Sequence, residues 1–132
     1  MDNSNTLAQW EKRVIVFKYI YSQLMKEEPV AVAKQNFFET LGAIDADWMK
    51  VLEYFLEHKT TIINTLAQNL ASSWTFDRLN VVDQAILIEA YSEYQVLKND
   101  KSIVIDQAVI TSKKYSDSNS YEYINAILDK VL

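Results

Sequence analysis

Three observations predict an all-α fold. Glycine and proline occur once each in 132 residues, whereas turn-rich β architectures need many of both. Apolar residues recur at intervals of three and four through every long segment, the spacing of one helix face. Cysteine is absent, which removes disulfide frameworks, thiolate metal sites and cysteine nucleophiles. What remains is a chain of one-domain size, residues 1–132, long enough to bury its own core.

Residues 1–6 read as a flexible N-terminal arm. LAQWEKRVIVFKYIYSQLM then carries Trp10, Val14, Phe17, Ile20 or Tyr21, and Leu24 on one face. Its length and polar spacing outweigh the strand propensity of VIVF. KEEP stops this helix, and Pro29 suits the first position of the next, VAVAKQNFFETL. Val30, Ala33, Phe37 and Leu41 share one side there, and Gly42 stands where a C-cap glycine belongs. The longest periodic stretch begins after Asp45 or Asp47, either of which can cap it. Its stripe runs through Trp48, Leu52, Phe55 or Leu56, Ile62 or Ile63, Leu66 and Leu70, with a bend or break expected near Thr60 and Thr61. ASSWTFDRL is a linking turn.

Asn80 and Asp83 have capping-box spacing at the start of NVVDQAILIEAYSEYQVL. Apolar residues cover so wide an arc of this helix that it reads as central. Ser102 can cap IVIDQAVITSKKY, and Ser118 or Ser120 can cap the last helix, YEYINAILDKVL. The total is about six helices, or seven if the long third one divides.

No catalytic constellation is present. The single histidine, His58, has no companion at metal-ligand spacing. Glu53 with Glu57, and Glu89 with Glu93, are one turn apart as helix surfaces commonly place them, and one glycine cannot build a phosphate-cradling loop. The reading is therefore not an enzyme, with no cofactor and no metal. A net charge of -5 gives no global attraction for phosphates, although a local basic patch could still supply it. No signal peptide or membrane-spanning apolar run is visible, so a cytoplasmic location is expected.

Several residues are candidates for binding. Lys12 and Arg13 could touch phosphates or form an ordinary solvated pair. Lys113 and Lys114 complement a helix dipole and also adjoin the last loop, where they could extend a basic patch. Tyr115, Tyr121 and Tyr123 flank SDSNS, where aromatics can stack on unpaired bases or serve as half-buried core. Asn125, among Ile124, Ile127 and Leu128, is expected to point into a helix junction and orient the last helix. Glu89, Tyr91, Glu93 and Tyr94 mix acidic and aromatic groups suited to a basic protein partner.

Two segments, WTFDRLNVVDQAILIEAYSEYQVL and VIDQAVITSKKYSDSNSYEYINAILDKVL, resemble the NusB family of transcription antitermination factors. The resemblance is carried by Arg78, Leu79, Val82, Asp83, Ala85, Ile86, Leu87, Ala90, Tyr91 and Glu93. It continues through Ile105, Ala108, Val109, Lys113, Tyr115, Ser120, Tyr123, Ile124, Asn125, Leu128, Asp129 and Lys130. It covers roughly the last 60 residues most specifically. The resemblance implies a compact NusB-like bundle of two packed subdomains. It implies single-stranded RNA as ligand, a boxA-like element of nascent ribosomal transcripts. It also implies a small-subunit ribosomal protein acting as NusE as partner, within the RNA polymerase antitermination complex.

By the same resemblance, RNA contacts fall to Lys12, Arg13, Lys113, Lys114, Asn119 and Tyr123. Asn119 replaces the family's usual aspartate and Tyr123 matches an aromatic near its RNA site. Arg78, Asn125 and Asp129 are structural, and Glu89, Tyr91, Glu93 and Tyr94 are partner-binding. The family's arginine-rich opening is reduced here to Lys12 and Arg13 within WEKRVIVF. The alternative is therefore a NusB-like protein-interaction module with lost or weakened RNA binding.

Overall fold

The computed structural model describes residues 9–40, 44–71 and 74–132, with side chains at all of these except 36–40. Six α-helices and one 3-10 turn follow in order, with no strand among the described residues. They are α1 (Gln9–Lys26), α2 (Val30–Thr40), α3 (Ala46–Ala67), the 3-10 turn (Phe76–Arg78), α4 (Val81–Leu97), α5 (Lys101–Tyr115) and α6 (Ser120–Val131). The expected arm at 1–6 and the C-cap at Gly42 lie outside the described residues, as do the side chains of Phe37 and Leu41.

Local chemistry sets the helix ends. KEEP stops α1 through Glu27, whose backbone turns left-handed at φ 55 while its N–H reaches the Gln23 carbonyl at 2.9 Å. Lys98 does the same for α4 at φ 57. A residue with a Cβ adopts this conformation at a cost of roughly 1–2 kcal/mol, and at each stop the backbone N–H bonds back to its own helix, Glu27 to the Gln23 carbonyl and Lys98 to the Tyr94 carbonyl. Pro29 stands one residue before α2 rather than at its first position, and its carbonyl accepts from the Ala33 N–H. Of the two candidate caps for α3, Asp45 is the one used, accepting from the Trp48 N–H at 3.2 Å. The expected break in α3 falls at His58 (φ -121, ψ 19), two residues ahead of the threonine pair. Asn80 caps α4 through the Asp83 N–H at 2.8 Å. Asp100, not Ser102, occupies the N-cap position of α5, and Asn119, not Ser118 or Ser120, that of α6; neither side chain makes a capping bond.

α4 packs against α1, α3, α5 and α6. Its run of Ala85, Ile86, Leu87, Ile88 and Ala90 is buried, as the wide apolar arc predicts. Around it, Phe17 and Ile20 of α1, Trp48 and Phe55 of α3, and Ile124 and Leu128 of α6 belong to one contiguous core. Each such large side chain contributes about 1.5–3 kcal/mol on burial. No helix among the described residues is long and apolar enough to cross a membrane. For the surface, the important consequence is that α1 lies beside α5. Trp10 Nε1 donates to Thr111 Oγ1 at 3.2 Å, and the Phe17 and Tyr115 rings sit 5.5 Å apart.

Candidate nucleic-acid interface

Where α1, α5 and α6 converge, exposed lysines lie against aromatic rings. Lys114 Nζ is 5.0 Å from the Trp10 ring centroid and 5.6 Å from that of Tyr115. Lys18 approaches the same tyrosine from α1 at 5.3 Å. Lys113 sits 4.5 Å from the Tyr121 ring, in the first turn of α6. All three lysines are exposed, and Trp10, Tyr115 and Tyr121 are half-buried. The hydrogen bond from Trp10 to Thr111 ties that ring to α5. Such a surface offers π-faces to bases and positive charge to the backbone beside them.

Two of the expected phosphate contacts turn inward instead. Lys12 is buried and reaches Asp45 Oδ2 at 2.8 Å, on the same carboxylate that caps α3. That bond is the main reason the Asp45 carboxyl titrates below its ordinary value. Arg13 is buried too. Its Nε donates to both Glu93 oxygens at 2.8 and 3.0 Å, and its Nη2 donates to Oε2 at 2.7 Å. Asn99 Nδ2 adds a bond to Glu93 Oε2 at 2.8 Å. Glu89 is buried beside this pair, and burial first, then the charge of Glu93, pushes its carboxyl well above the usual carboxylate range. Glu89 and Glu93 therefore form part of the interior rather than an exposed acidic partner face. Tyr91 and Tyr94 are half-buried and packed against the core.

Asp83 ties the last loop to α4. Ser116 Oγ and the Tyr123 hydroxyl each donate to its carboxylate. Burial raises its pKa above the ordinary value against the pull of those serine contacts. Tyr123 thus turns its hydroxyl inward, to α4, and lines a cleft with Trp74, Arg78 and Lys130. The Glu93 and Asp83 anchors are ten residues apart on α4, roughly 15 Å at 1.5 Å per residue. Lys12 and Arg13, both buried, are therefore not part of a surface patch, whereas Lys113 and Lys114 are exposed.

The remaining expected residues are exposed. Asn119 lies at the turn before α6. Arg78 places its guanidinium 5.9 Å from the Trp74 ring. Asn125 does not enter a helix junction: the tight packing of Ile124 and Leu128 puts the residue between them on the outer face of α6. Asp129 pairs with Lys101 at 3.5 Å and its carbonyl accepts from the same lysine at 2.7 Å.

Sequence reasoning passed over Lys18 and Trp10 as site residues. Their separation was a usable signal, since two steps of four along one helix keep both on a common face. The contribution of Tyr121 depends on the α5–α6 crossing, which no local pattern encodes.

Known proteins bear on this geometry. The NusB family model matches residues 11–132. The transcription antitermination protein NusB of Borreliella burgdorferi is 40% identical, over 92% of each chain. That of Finegoldia magna is 32% identical, over 96% of this chain and 94% of its own. Among solved structures, T. maritima NusB superposes with a TM-score of 0.81 at 26% identity, covering 95% of this chain and 90% of that one. A chain in a crystal structure of a plectonemic RNA supercoil shares the fold, with a TM-score of 0.75 at 21% identity over 94% of both chains.

Proposed function

The chain belongs to the NusB family of transcription antitermination proteins, and from this we propose that it acts in the cytoplasm by binding a single-stranded, boxA-like element of nascent ribosomal RNA together with a small-subunit ribosomal protein acting as NusE. Its place is in the antitermination complex of RNA polymerase, as a binding factor and not an enzyme. The observation that carries the RNA part is the face where Lys18, Lys113 and Lys114 lie against Trp10, Tyr115 and Tyr121. Bases stack on the rings and phosphates meet the ammonium groups beside them. With three cations on an acidic chain, the affinity draws more on stacking than on counterion release.

A second reading, a protein-interaction module with weakened RNA binding, draws on the burial of Lys12 and Arg13 in internal ion pairs. The two separate in one experiment. Binding of a boxA-like single strand is measured with and without the ribosomal protein, at low and moderate salt. Tighter binding with the partner, and only modest weakening by salt, supports the RNA reading. Absence of RNA binding in every condition, with the ribosomal protein still bound, overturns it in favour of the second.

A further inference from the structure

We propose that Arg13, Glu89, Glu93 and Asn99 form a proton-sensitive latch, which fixes the start of α1 against α4 while Glu89 keeps its proton and loosens it when that proton leaves. The latch goes beyond RNA binding and does not depend on it.

One ion pair balances the charge in this part of the interior. Arg13 and Glu93 are 5% and 0% exposed, and the arginine directs Nε and Nη2 to Glu93. Glu89 stands one turn before Glu93 on α4 and is equally buried. Its Oε2 has no hydrogen-bond partner among the described residues. Its carboxyl is hydrogen-bonded to that of Glu93, and a bond between two carboxyls needs a proton on one of them. Glu93, held by Arg13 and Asn99, is the anion, which leaves Glu89 as the acid. The charged groups that face Glu89 are thus Arg13 from α1 and Glu93 from α4.

Losing that proton upsets the balance. Two buried carboxylates then share one guanidinium, and the hydrogen bond between them is gone. One negative charge stays uncompensated away from water. The route to water is short. Arg13 and Asn99, which hold Glu93, also line a cleft of about 460 Å³ together with Gln9, Lys98, Asp100 and Ile103. Its lining comes from the start of α1, from the turn after α4 and from the first turn of α5. Hydration of the carboxylates from this cleft parts those elements. Trp10 lies between Gln9 and Arg13 on α1 and moves with them, and its ring is the one beside Lys114. Burial and the charge of Glu93 keep the Glu89 carboxyl well above the usual carboxylate range. The latch is therefore closed at low pH and opens as pH rises through the folded-state titration of Glu89.

The three tryptophans report on separate parts of this arrangement. Trp48 has the Arg13 guanidinium 5.7 Å from its ring centroid, Trp10 is tied to Thr111 at the start of α1, and Trp74 lies against Arg78. The full chain is labelled with 5-fluorotryptophan and followed by fluorine NMR between about pH 5 and 9. Trp10→Phe and Trp74→Phe assign the resonances. In the wild type, Trp10 and Trp48 are expected to shift together with one inflection while Trp74 stays in place. Glu89→Gln and Glu89→Leu, which carry no ionisable group at that position, should each abolish the inflection, and thermal unfolding checks that they fold. The latch is overturned if Trp10 and Trp48 do not shift in the wild type, or if their shifts persist in a folded Glu89 variant. A joint collapse of all three resonances at high pH is global unfolding and overturns it too.

Discussion

Arg13 holds Glu93 inside the molecule through two of its nitrogens, the shortest bond being 2.7 Å, and Glu93 has no exposed side-chain surface. The pair links α1 to the far half of α4. Removing one partner strands the other's charge away from water, so Arg13→Ala and Glu93→Ala are each expected to lower stability by about 3–5 kcal/mol. Arg13→Lys should recover only part of this, because an ammonium cannot reproduce the planar fork. Urea denaturation of the variants measures it. A change in RNA affinity without a change in stability would mean that Arg13 works at the surface instead.

Glu89 has the opposite sign. Its carboxyl, raised above 4.5 by burial and by Glu93, holds its proton in the folded chain after the unfolded chain has released it. The groups facing it are Arg13, which opposes the shift, and Glu93, which reinforces it. Stability from this group is therefore full below the unfolded value and is lost as pH rises through the folded one. Glu89→Gln is expected to be the more stable protein at about pH 8, with a flatter pH profile than the wild type above roughly pH 5. Denaturant midpoints across that window read the difference.

The lysines divide by salt. Replacing Lys18, Lys113 and Lys114 together with glutamine should reduce the salt slope of single-strand binding by about 2, at roughly 0.7 for each phosphate contact. Lys12→Gln should leave the slope alone, since Lys12 already serves Asp45. Titrations at several salt concentrations distinguish the two groups.

Two asparagines should part company in thermal melts. Asn80→Ala removes the cap of α4 and is expected to cost about 1 kcal/mol. Asn125→Ala alters an exposed position on the outer face of α6 and should remain within about 0.5 kcal/mol of the wild type.

Much of the helix order was legible because apolar spacing and caps are local. Asp45, Asn80 and the buried run Ala85–Ala90 are each written in a few neighbouring residues. The break in α3 was visible to within two residues for the same reason. The direction a charged side chain takes was not legible. Lys12 and Arg13 look like a solvated pair until α3 supplies Asp45 and α4 supplies Glu93, 33 and 80 residues away. Glu89 and Glu93 look like ordinary surface glutamates for the same reason. Asn125 fails differently: flanking apolar residues suggest burial, but the α6 face is set by Ile124 and Leu128, and the position between them looks out. The lysine–aromatic face also needed tertiary contacts, since it draws its members from three helices.

The left-handed backbone at Lys98 has a consequence for chain exchange. It reverses the path between α4 and α5 in three residues, 98–100. Straightened there, residues 81–115 would form a rod roughly 50 Å long at 1.5 Å per residue. α5 and α6 would then leave the α4 surface they cover and meet the identical surface of a second molecule. A β-branched residue at 98, which resists this left-handed reversal, is expected to destabilise the α4–α5 turn, and thermal melts of such a variant measure the loss.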